Sequence, residues 1–413
     1  MNEFVETVVI GAGPIGIETA IELQHRGIET HVYDAGPVGH TISWWAPQTR
    51  WFSSNDRIAI AGVPLHTVDQ AKASREEYLN YLRGVVDQFH VPITTFRRVV
   101  SIRPIDDSAN TGSNDSDTGG GLTNGVADGQ TKAESALAPR WRLGISRRAA
   151  ATDHDPPPDY FLDTHAVILA IGGTDFPNRL GVPGEDLPHV DGYLREVHRY
   201  HGRNVLIIGG RNSAVEAAIR LHRGGANVTL CYHRDQLPDD GIKYWLRPEI
   251  EGLIRSGSVQ AFFRSRVTEI TEHAVSLETT DDDGKPHRRS VEFDDVLPLI
   301  GYRQNTSLFR QLDIVSDLPS GAPLYDAETM QTPRAGIYVA GTAIGGTQSS
   351  RYQIFLENCH DHPAKIADHL CRERSSRADS KGATHQSHGD PERANSPRGD
   401  QGLRQRIELQ PES

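Results

Sequence analysis

Two glycine-rich turns carry most of the chemistry this sequence offers. The first is Val8-Val9-Ile10-Gly11-Ala12-Gly13-Pro14-Ile15-Gly16, and the second is Val205-Leu206-Ile207-Ile208-Gly209-Gly210-Arg211-Asn212-Ser213-Ala214. Each reads as a buried strand, a turn and the start of a helix. Such a turn sets bare backbone and a helix N-terminus against a pyrophosphate. Asp34 closes the strand after the first turn (Thr30 to Tyr33), about twenty residues on, where a carboxylate can take a ribose hydroxyl. The strand after the second turn ends at His233-Arg234 instead. A cation there suits a 2′-phosphate, hence NADPH over NADH. Arg211 stands where the fingerprint has its middle glycine, and its backbone can still approach a pyrophosphate with the side chain turned outward.

Other reactive side chains are sparse. The three cysteines, Cys231, Cys359 and Cys371, form no CxxC and are too few for a disulfide framework. Cys231 falls in a strand and reads as a small core residue. A redox role for Cys359 requires a lowered pKa and access. The 19 histidines are scattered. His198 and His201 lack further ligands, so no metal site is expected. Hydride transfer between nucleotide cofactors needs neither a metal nor a Ser-His-Asp set, because the cofactor does the chemistry and the protein positions it.

The elements that hold these residues follow from length and pattern. At 413 residues the chain is expected to hold two domains. With 37% hydrophobic and 24% charged residues it is globular, and a net charge of -12 argues against a nucleic-acid partner. No apolar run reaches a membrane span, and no charged and apolar leader precedes the first strand. A cytoplasmic protein without a membrane partner is expected.

Residues 4–34 read as β-α-β, with Gly27 a C-cap. An aromatic loop follows (Gly39 to Ser54), read equally as a pocket wall or as a surface loop. Ser74 caps an amphipathic helix with Leu79, Leu82, Val85, Val86 and Phe89 on its apolar face. Strands are expected at 94–103, 141–147, 161–162 and 166–170, with a mobile polar insertion at about 106–139. After the second β-α-β come short strands at 259–263, 274–277 and 291–293. Asp295 to Tyr302 then returns the chain to its first half. A strand ends at Gly341, a helix covers Ile354 to Leu370, and a disordered tail begins at about Glu373.

Together these features resemble the two-dinucleotide-binding-domain flavoproteins of the pyridine nucleotide-disulfide oxidoreductase superfamily. The resemblance implies an α/β fold of two Rossmann-like three-layer domains, the FAD domain discontinuous and carrying a β-meander insertion. It implies an FAD domain at 1–190 and 298–372, an NADPH domain at 191–297, and a tail at 373–413. FAD then lies on Gly11, Gly13, Pro14, Gly16, Asp34 and Val99. It also lies on Gly172, in the Ile171-Gly172-Gly173 segment that stands for the family's Ala-Thr-Gly, and on Gly341 and Thr342. NADPH lies on Gly209, Gly210, Asn212, Ser213, Ala214, His233 and Arg234.

Within the family the chain is similar to the bacillithiol-disulfide reductases, near the low-molecular-weight thioredoxin reductases. Phe52-Ser53-Ser54, Gly241-Ile242-Lys243-Tyr244-Trp245-Leu246-Arg247-Pro248-Glu249-Ile250-Glu251 and Phe355-Leu356-Glu357-Asn358 carry that likeness, as does Arg211 in the second turn. Thioredoxin reductases carry a CxxC that this chain lacks, and the bacillithiol branch uses a cysteine after Gly-Pro where this chain has Ile15. The implied activity is hydride transfer from NADPH to FAD and on to a small disulfide or another small-molecule or small redox-protein acceptor. The alternatives are a ferredoxin/flavodoxin-NADP reductase, a flavin monooxygenase, or a redox sensor without turnover. Homo-oligomers are usual in the family.

Overall fold

In a computed structural model, which describes residues 3–105, 138–147, 155–281, 283–316, 318–347 and 354–382, the first apolar run forms β1 (Glu3–Ile10). Val5 to Ile10 are all buried, the mark of a strand covered on both faces. Helix α1 (Pro14–His25) starts on Pro14, whose fixed φ and missing N–H are harmless there. It ends before Gly27, which takes the left-handed φ of +67° that a helix stop favours. β2 (Thr30–Tyr33) lies parallel to β1, with Val8 opposite His31.

Two single turns, α2 (His40–Ser43) and α3 (Asn55–Ile58), interrupt the aromatic loop. α4 (Arg75–Phe89) opens with a capping box in which the Ser74 N–H donates to Glu77 Oε2 at 2.7 Å and the Glu77 N–H donates to Ser74 Oγ at 3.2 Å. The expected strand at 94–103 is two, β3 (Ile93–Thr94) and β4 (Arg98–Pro104), broken at Phe96, whose φ of +55° no strand tolerates. β5 (Trp141–Ser146) follows, and the two expected short strands after it are one long strand, β6 (Tyr160–Leu169).

Beyond β6 the chain passes through β7 (Phe176–Pro177) and a 3₁₀ turn at Val197–Tyr200 into the second β-α-β. That unit holds β8 (Asn204–Ile208), α5 (Asn212–Arg223), β9 (Asn227–Cys231), α6 (Arg247–Arg255) and β10 (Gln260–Phe262). An antiparallel meander follows: β11 (Ser265–Ile270), β12 (Ala274–Thr280) and β13 (Pro286–Glu292). β11 was not expected, because Val267 and Ile270 are its only apolar residues and do not give a strand's alternation.

The expected return strand at Asp295 is instead β14 (Asp295–Pro298), which pairs with β8 and completes a parallel sheet ordered β10-β9-β8-β14. The return comes after Pro298, through β15 (Tyr302–Arg303), which pairs antiparallel with β7. α7 (Ser307–Gln311) and β16 (Ile337–Val339) close the first sheet, where β16 lies parallel to the end of β6. That sheet is ordered β3-β2-β1-β6-β5-β4. Along one edge β6 pairs parallel with β1, and along the other it serves two neighbours. Its start pairs antiparallel with β5, making the β-meander, and its end pairs with β16.

The expected helix from Ile354 also differs. A 3₁₀ turn at Leu356–Asn358 precedes α8 (His362–Gly382). α8 runs past Glu373, where a disordered tail was expected, because Arg, Glu, Ala and Lys favour helix even without apolar residues. The remainder of the tail, and the 106–139 insertion apart from Ala138 and Pro139, lie outside the described residues.

The chain divides into compact units at Met1–Cys371 and Arg372–Ser413. Both sheets belong to the first. One apolar core joins α1, α4 and the first sheet. The second sheet splits its side chains by strand alternation. Val205 and Ile207 pack with α5, while Leu206 and Ile208 pack under the meander. No described helix is long and apolar enough to cross a membrane.

Candidate active site

The first turn is shaped by what its glycines exclude. Gly11 has φ +111°, and a Cβ there would lie 2.4 Å from the Ala170 carbonyl oxygen. A Cβ on Gly16 would lie 1.9 Å from the Gly11 carbonyl oxygen, so only glycine lets α1 sit this close to β1. Gly13 differs: a Cβ there would meet nothing within 4 Å. Open space beside Gly13, between two packed glycines and at a helix start whose N–H groups have no carbonyl a turn back, fits a pyrophosphate.

Asp34 braces this turn. Its carboxylate accepts from the Ala12 N–H at 2.6 Å and the Gly36 N–H at 2.7 Å. Burial pushes its pKa up to about 6, against the pull of those two bonds. Both oxygens still have a lone pair to offer a ribose.

A cleft opens beside it, lined by Gly11, Asp34, His40, Trp44, Arg98 and Asp175 among others, with Val99 in its wall. The Val99 backbone is turned by a register shift between Val99 and Ser101. Asp175 accepts from the Asn305 N–H at 2.8 Å, and burial pushes it too up to about 6. Arg98 lowers both carboxylates. The aromatic loop therefore does both of the things expected of it. His40, Thr41 and Trp44 face the cleft, while Trp45 and Trp51 stack toward the buried Tyr78. Trp44 continues into a ladder with Tyr193 and Tyr302, the two crossings between the sheets.

Three further segments converge at the ends of β6 and β16. Gly172 has φ +77°, and the Gly173 Cβ position lies 3.2 Å from the Thr342 carbonyl oxygen. A 3₁₀ turn starts at Gly341, whose N–H donates to His362 Nδ1 at 3.1 Å. That nitrogen must be unprotonated, and burial holds His362 down at about 4. A Cβ on Gly341 would meet Ile15 Cβ at 3.1 Å, so Ile15 is a packing residue here, 5% exposed.

The second turn repeats the logic. Gly209 has φ +139° with the Leu299 carbonyl oxygen 2.4 Å from its Cβ position, and Ala214 is fully buried against it. The Gly210 Cβ position lies 2.7 Å from the Tyr232 ring. Ser213 is exposed on the first turn of α5. Asn212 is committed to the chain: its N–H donates to the Gly241 carbonyl at 3.0 Å and its Oδ1 accepts from the Lys243 N–H at 2.7 Å. The segment carrying the branch likeness thus folds over the start of α5, with Trp245 stacked on Phe52.

At the far end, His233 and Arg234 meet arginines the sequence reading missed. The Arg264 N–H donates to the Arg234 carbonyl at 2.8 Å. Burial lowers the pKa of His233, and Arg266 and Arg234 lower it further. The signal for Arg266 was the unrecognised β11. Arg98, Asp175 and Gln304 were missed because nothing local marks them.

Two of the three thiols are quiet. Cys231 and Cys359 are fully buried, and burial pushes both up to about 12. Cys359 Sγ lies 3.1 Å from the Phe355 carbonyl. The His198 and His201 rings stack 6.4 Å apart, and no group of three metal-ligating side chains gathers among the described residues.

The pyridine nucleotide-disulphide oxidoreductase family matches residues 8–116 and 159–341. The chain belongs to that family. Bacilliredoxin reductase Bdr of Bacillus subtilis (strain 168) is 28% identical over 367 residues, 89% of this chain and 98% of that protein. The solved bacillithiol disulfide reductase Bdr (YpdA) of Staphylococcus aureus covers 90% of this chain and is itself 99% covered, at 27% identity and a TM-score of 0.73. Its counterpart from Bacillus cereus is 28% identical over 90% of this chain and all of its own, at 0.72. Thioredoxin reductase of T. acidophilum, at 19% identity and 0.59, shares the fold.

Members of the family bind FAD and use NAD(P)H. The first turn, with its open Gly13 and the carboxylate-lined cleft beside it, fits FAD. This chain is an FAD-dependent pyridine nucleotide-disulfide oxidoreductase.

Proposed function

We propose that the enzyme oxidises NADPH and passes the electrons to a low-molecular-weight disulfide, or another small oxidant of that size, without a thiol of its own. The state of the cysteines carries this reading. Cys231 and Cys359 are buried with raised pKa values, and the first turn presents Ile15. A thiolate relay needs a lowered pKa and access. Bound FAD supplies the hydride chemistry, taking a hydride from the nicotinamide and giving up an electron pair.

The chain's part is binding and orientation. In this reading the first sheet, at 1–190 and 298–372, holds FAD on Gly11, Gly13, Pro14, Gly16, Asp34, Val99, Gly172, Gly341 and Thr342. The second sheet, at 191–297, holds NADPH on Gly209, Gly210, Ser213 and Ala214, with Asn212 shaping the loop above them. His233 and Arg234, now joined by Arg266, receive the 2′-phosphate. Arg220 of α5 orients the two sheets: it is half-buried and donates to Thr49 Oγ1 at 3.2 Å and to the Pro47 carbonyl. The names of the relatives support a disulfide as acceptor, and a cytoplasmic homo-oligomer belongs to the same reading.

Anaerobic stopped-flow tests it. NADPH should bleach the bound flavin faster than NADH, and a small disulfide should restore the colour. A chain with all three cysteines changed to alanine should turn over like the native one. Loss of disulfide reduction in that chain, with flavin reduction by NADPH intact, refutes the thiol-free route. Reoxidation by a ferredoxin but by no small disulfide refutes the acceptor.

A further inference from the structure

The cleft beside the first turn is lined by carboxylates, and the cofactor that fits it is itself an anion. Asp34 and Asp175 stand with Gly11 in its walls. Burial raises both carboxyls to about 6, so both are charged at neutral pH. The diphosphate of FAD brings further negative charge beside them. A charge taken out of water needs a partner. The N–H groups at the start of α1 offer only a partial positive charge. A full cation must therefore face the diphosphate.

His40, Arg97 and Arg98 line the same cleft. His40 is neutral, because burial, and then the nearby Arg98, lower its pKa. Arg97 is turned toward its own loop. Its Nη1 donates to the Phe96 carbonyl at 2.9 Å, and its charge acts on the Tyr160 hydroxyl, against burial. Arg98 remains. The chain passes from β3 at one edge of the sheet to β4 at the other, and on the way the Arg97 N–H donates to the Asp34 carbonyl at 2.8 Å. That carries Arg98 across the carboxyl ends of the strands, the side on which such sheets bind ligands.

The charge of Arg98 reaches three walls of the cleft. It opposes burial at Asp34 and at Asp175, and it adds to burial at His40. Its own partners are few. Nε is enclosed without an acceptor, and the one ion pair among the described residues, Nη1 to Asp155 Oδ1, is long at 3.5 Å. A guanidinium carries five donors in a fork that matches phosphate oxygens. The side chain is 22% exposed and lines the cleft, so a ligand there can reach it.

We propose that Arg98 is the counter-ion of the FAD diphosphate. Its terminal nitrogens donate to a diphosphate oxygen and let that anion sit beside two carboxylates. The proposal rests on the family's use of FAD and adds to its site a cation from outside the glycine turn.

The test lets ADP or adenosine compete with FAD for the full-length apoprotein and follows flavin fluorescence, so that only the first site is read. Arg98→Met keeps an unbranched apolar stem and removes the charge. It should weaken FAD and ADP by roughly 10- to 150-fold and adenosine by less than about twofold. Arg98→Lys should recover most of the ADP affinity. Asp155→Asn frees Arg98 from its ion pair and should bind ADP at least as tightly as the native chain. Equal losses of ADP and adenosine in Arg98→Met overturn the proposal, because the side chain then serves the adenosine or the fold. Unchanged ADP binding overturns it too. If Arg98→Met does not fold, Asp155→Asn decides, since a loss of ADP affinity there makes the pair structural. A native chain that binds no FAD overturns the cofactor reading as well, whereas tight FAD binding that Arg98→Met leaves intact overturns Arg98 alone.

Discussion

Replacing Gly13 and Gly16 by alanine, one at a time, separates folding from cofactor binding in a single turn. Gly13 has φ -80° and ψ 177°, extended backbone that alanine adopts freely. Its Cβ would touch nothing of the chain within 4 Å. Gly13→Ala should therefore fold, gaining about 0.4–1 kcal/mol from a less flexible unfolded chain. The new methyl instead enters the space beside the first N–H groups of α1. Displacing one charge-assisted hydrogen bond to a phosphate there costs about 1.5–3 kcal/mol, or roughly 10- to 150-fold in FAD affinity.

Gly16→Ala meets the opposite constraint. Its Cβ would stand 1.9 Å from the Gly11 carbonyl oxygen, 3.1 Å from that carbonyl carbon and 3.3 Å from Ala170 Cβ. Two of these atoms are backbone, so α1 itself must lift from β1. Thermal melts of the apoproteins and fluorescence titration with FAD report the two effects. Gly13→Ala should melt at or slightly above the native temperature and bind FAD weakly, while Gly16→Ala should melt far lower or fail to accumulate. A Gly13→Ala chain that holds FAD as tightly as the native one refutes a pyrophosphate at this turn.

Two other perturbations are as direct. Arg234 and Arg266 are exposed, so each contact with a 2′-phosphate is worth only about 1 kcal/mol. Arg234→Ala with Arg266→Ala should raise the KM for NADPH roughly 10- to 30-fold and that for NADH less than about twofold. Equal losses for both nucleotides in steady-state assays would count against the assignment. The His360 ring meets Glu18 Oε2 at 2.8 Å and the Arg57 carbonyl at 3.0 Å. Both are acceptors, so both ring nitrogens donate and the ring is charged. The hydrogen bond to the Glu18 carboxylate raises its pKa above 6.5, against burial. The stability it adds is full below the unfolded pKa near 6.5 and fades as pH rises through the raised folded value. His360→Ala should thus cost about 1 kcal/mol near pH 6 and less near pH 9 in urea melts; a gap that widens with pH would contradict the charged ring.

What the sequence showed and what it hid divide by chain separation. The two strand-turn-helix units, the capping box at Ser74 and the stop at Gly27 are set within a few residues, and local pattern found them. The fold class followed from seeing the unit twice. The misread boundaries are places where distant contacts override the local pattern. Phe96 breaks an apparently continuous strand with a positive φ while its N–H donates to the Gly36 carbonyl. Asp295 to Pro298 looks like a crossing but is claimed by β8. α8 continues past Cys371, where the apolar pattern stops, through residues such as Arg, Glu and Ala that favour helix.

The site divides in the same way. The glycines proposed to line a cofactor are visible because their spacing is fixed by one turn. Arg98 and Asp175 reach the cleft, and Arg266 reaches His233, from elements whose neighbourhood only the folded chain defines, and Gln304 bonds to Gly172 across 132 residues. Ile15 belongs to both groups. Sequence marked it as an apolar residue where related enzymes use a cysteine, and the structure gives the reason it can stay apolar. The residue is buried, and it fills the space under Gly341, whose missing Cβ would otherwise stand 3.1 Å from Ile15 Cβ. Gly341 begins the 3₁₀ turn that His362 holds from the other side. Ile15 therefore fits a scaffold role in which first turn and closing strand are locked together. A cysteine there would leave part of that space empty as well as adding a thiol. In the proposed thiol-free route the acceptor meets the cofactor itself, so an Ile15→Cys chain should reduce a small disulfide no faster than the native one.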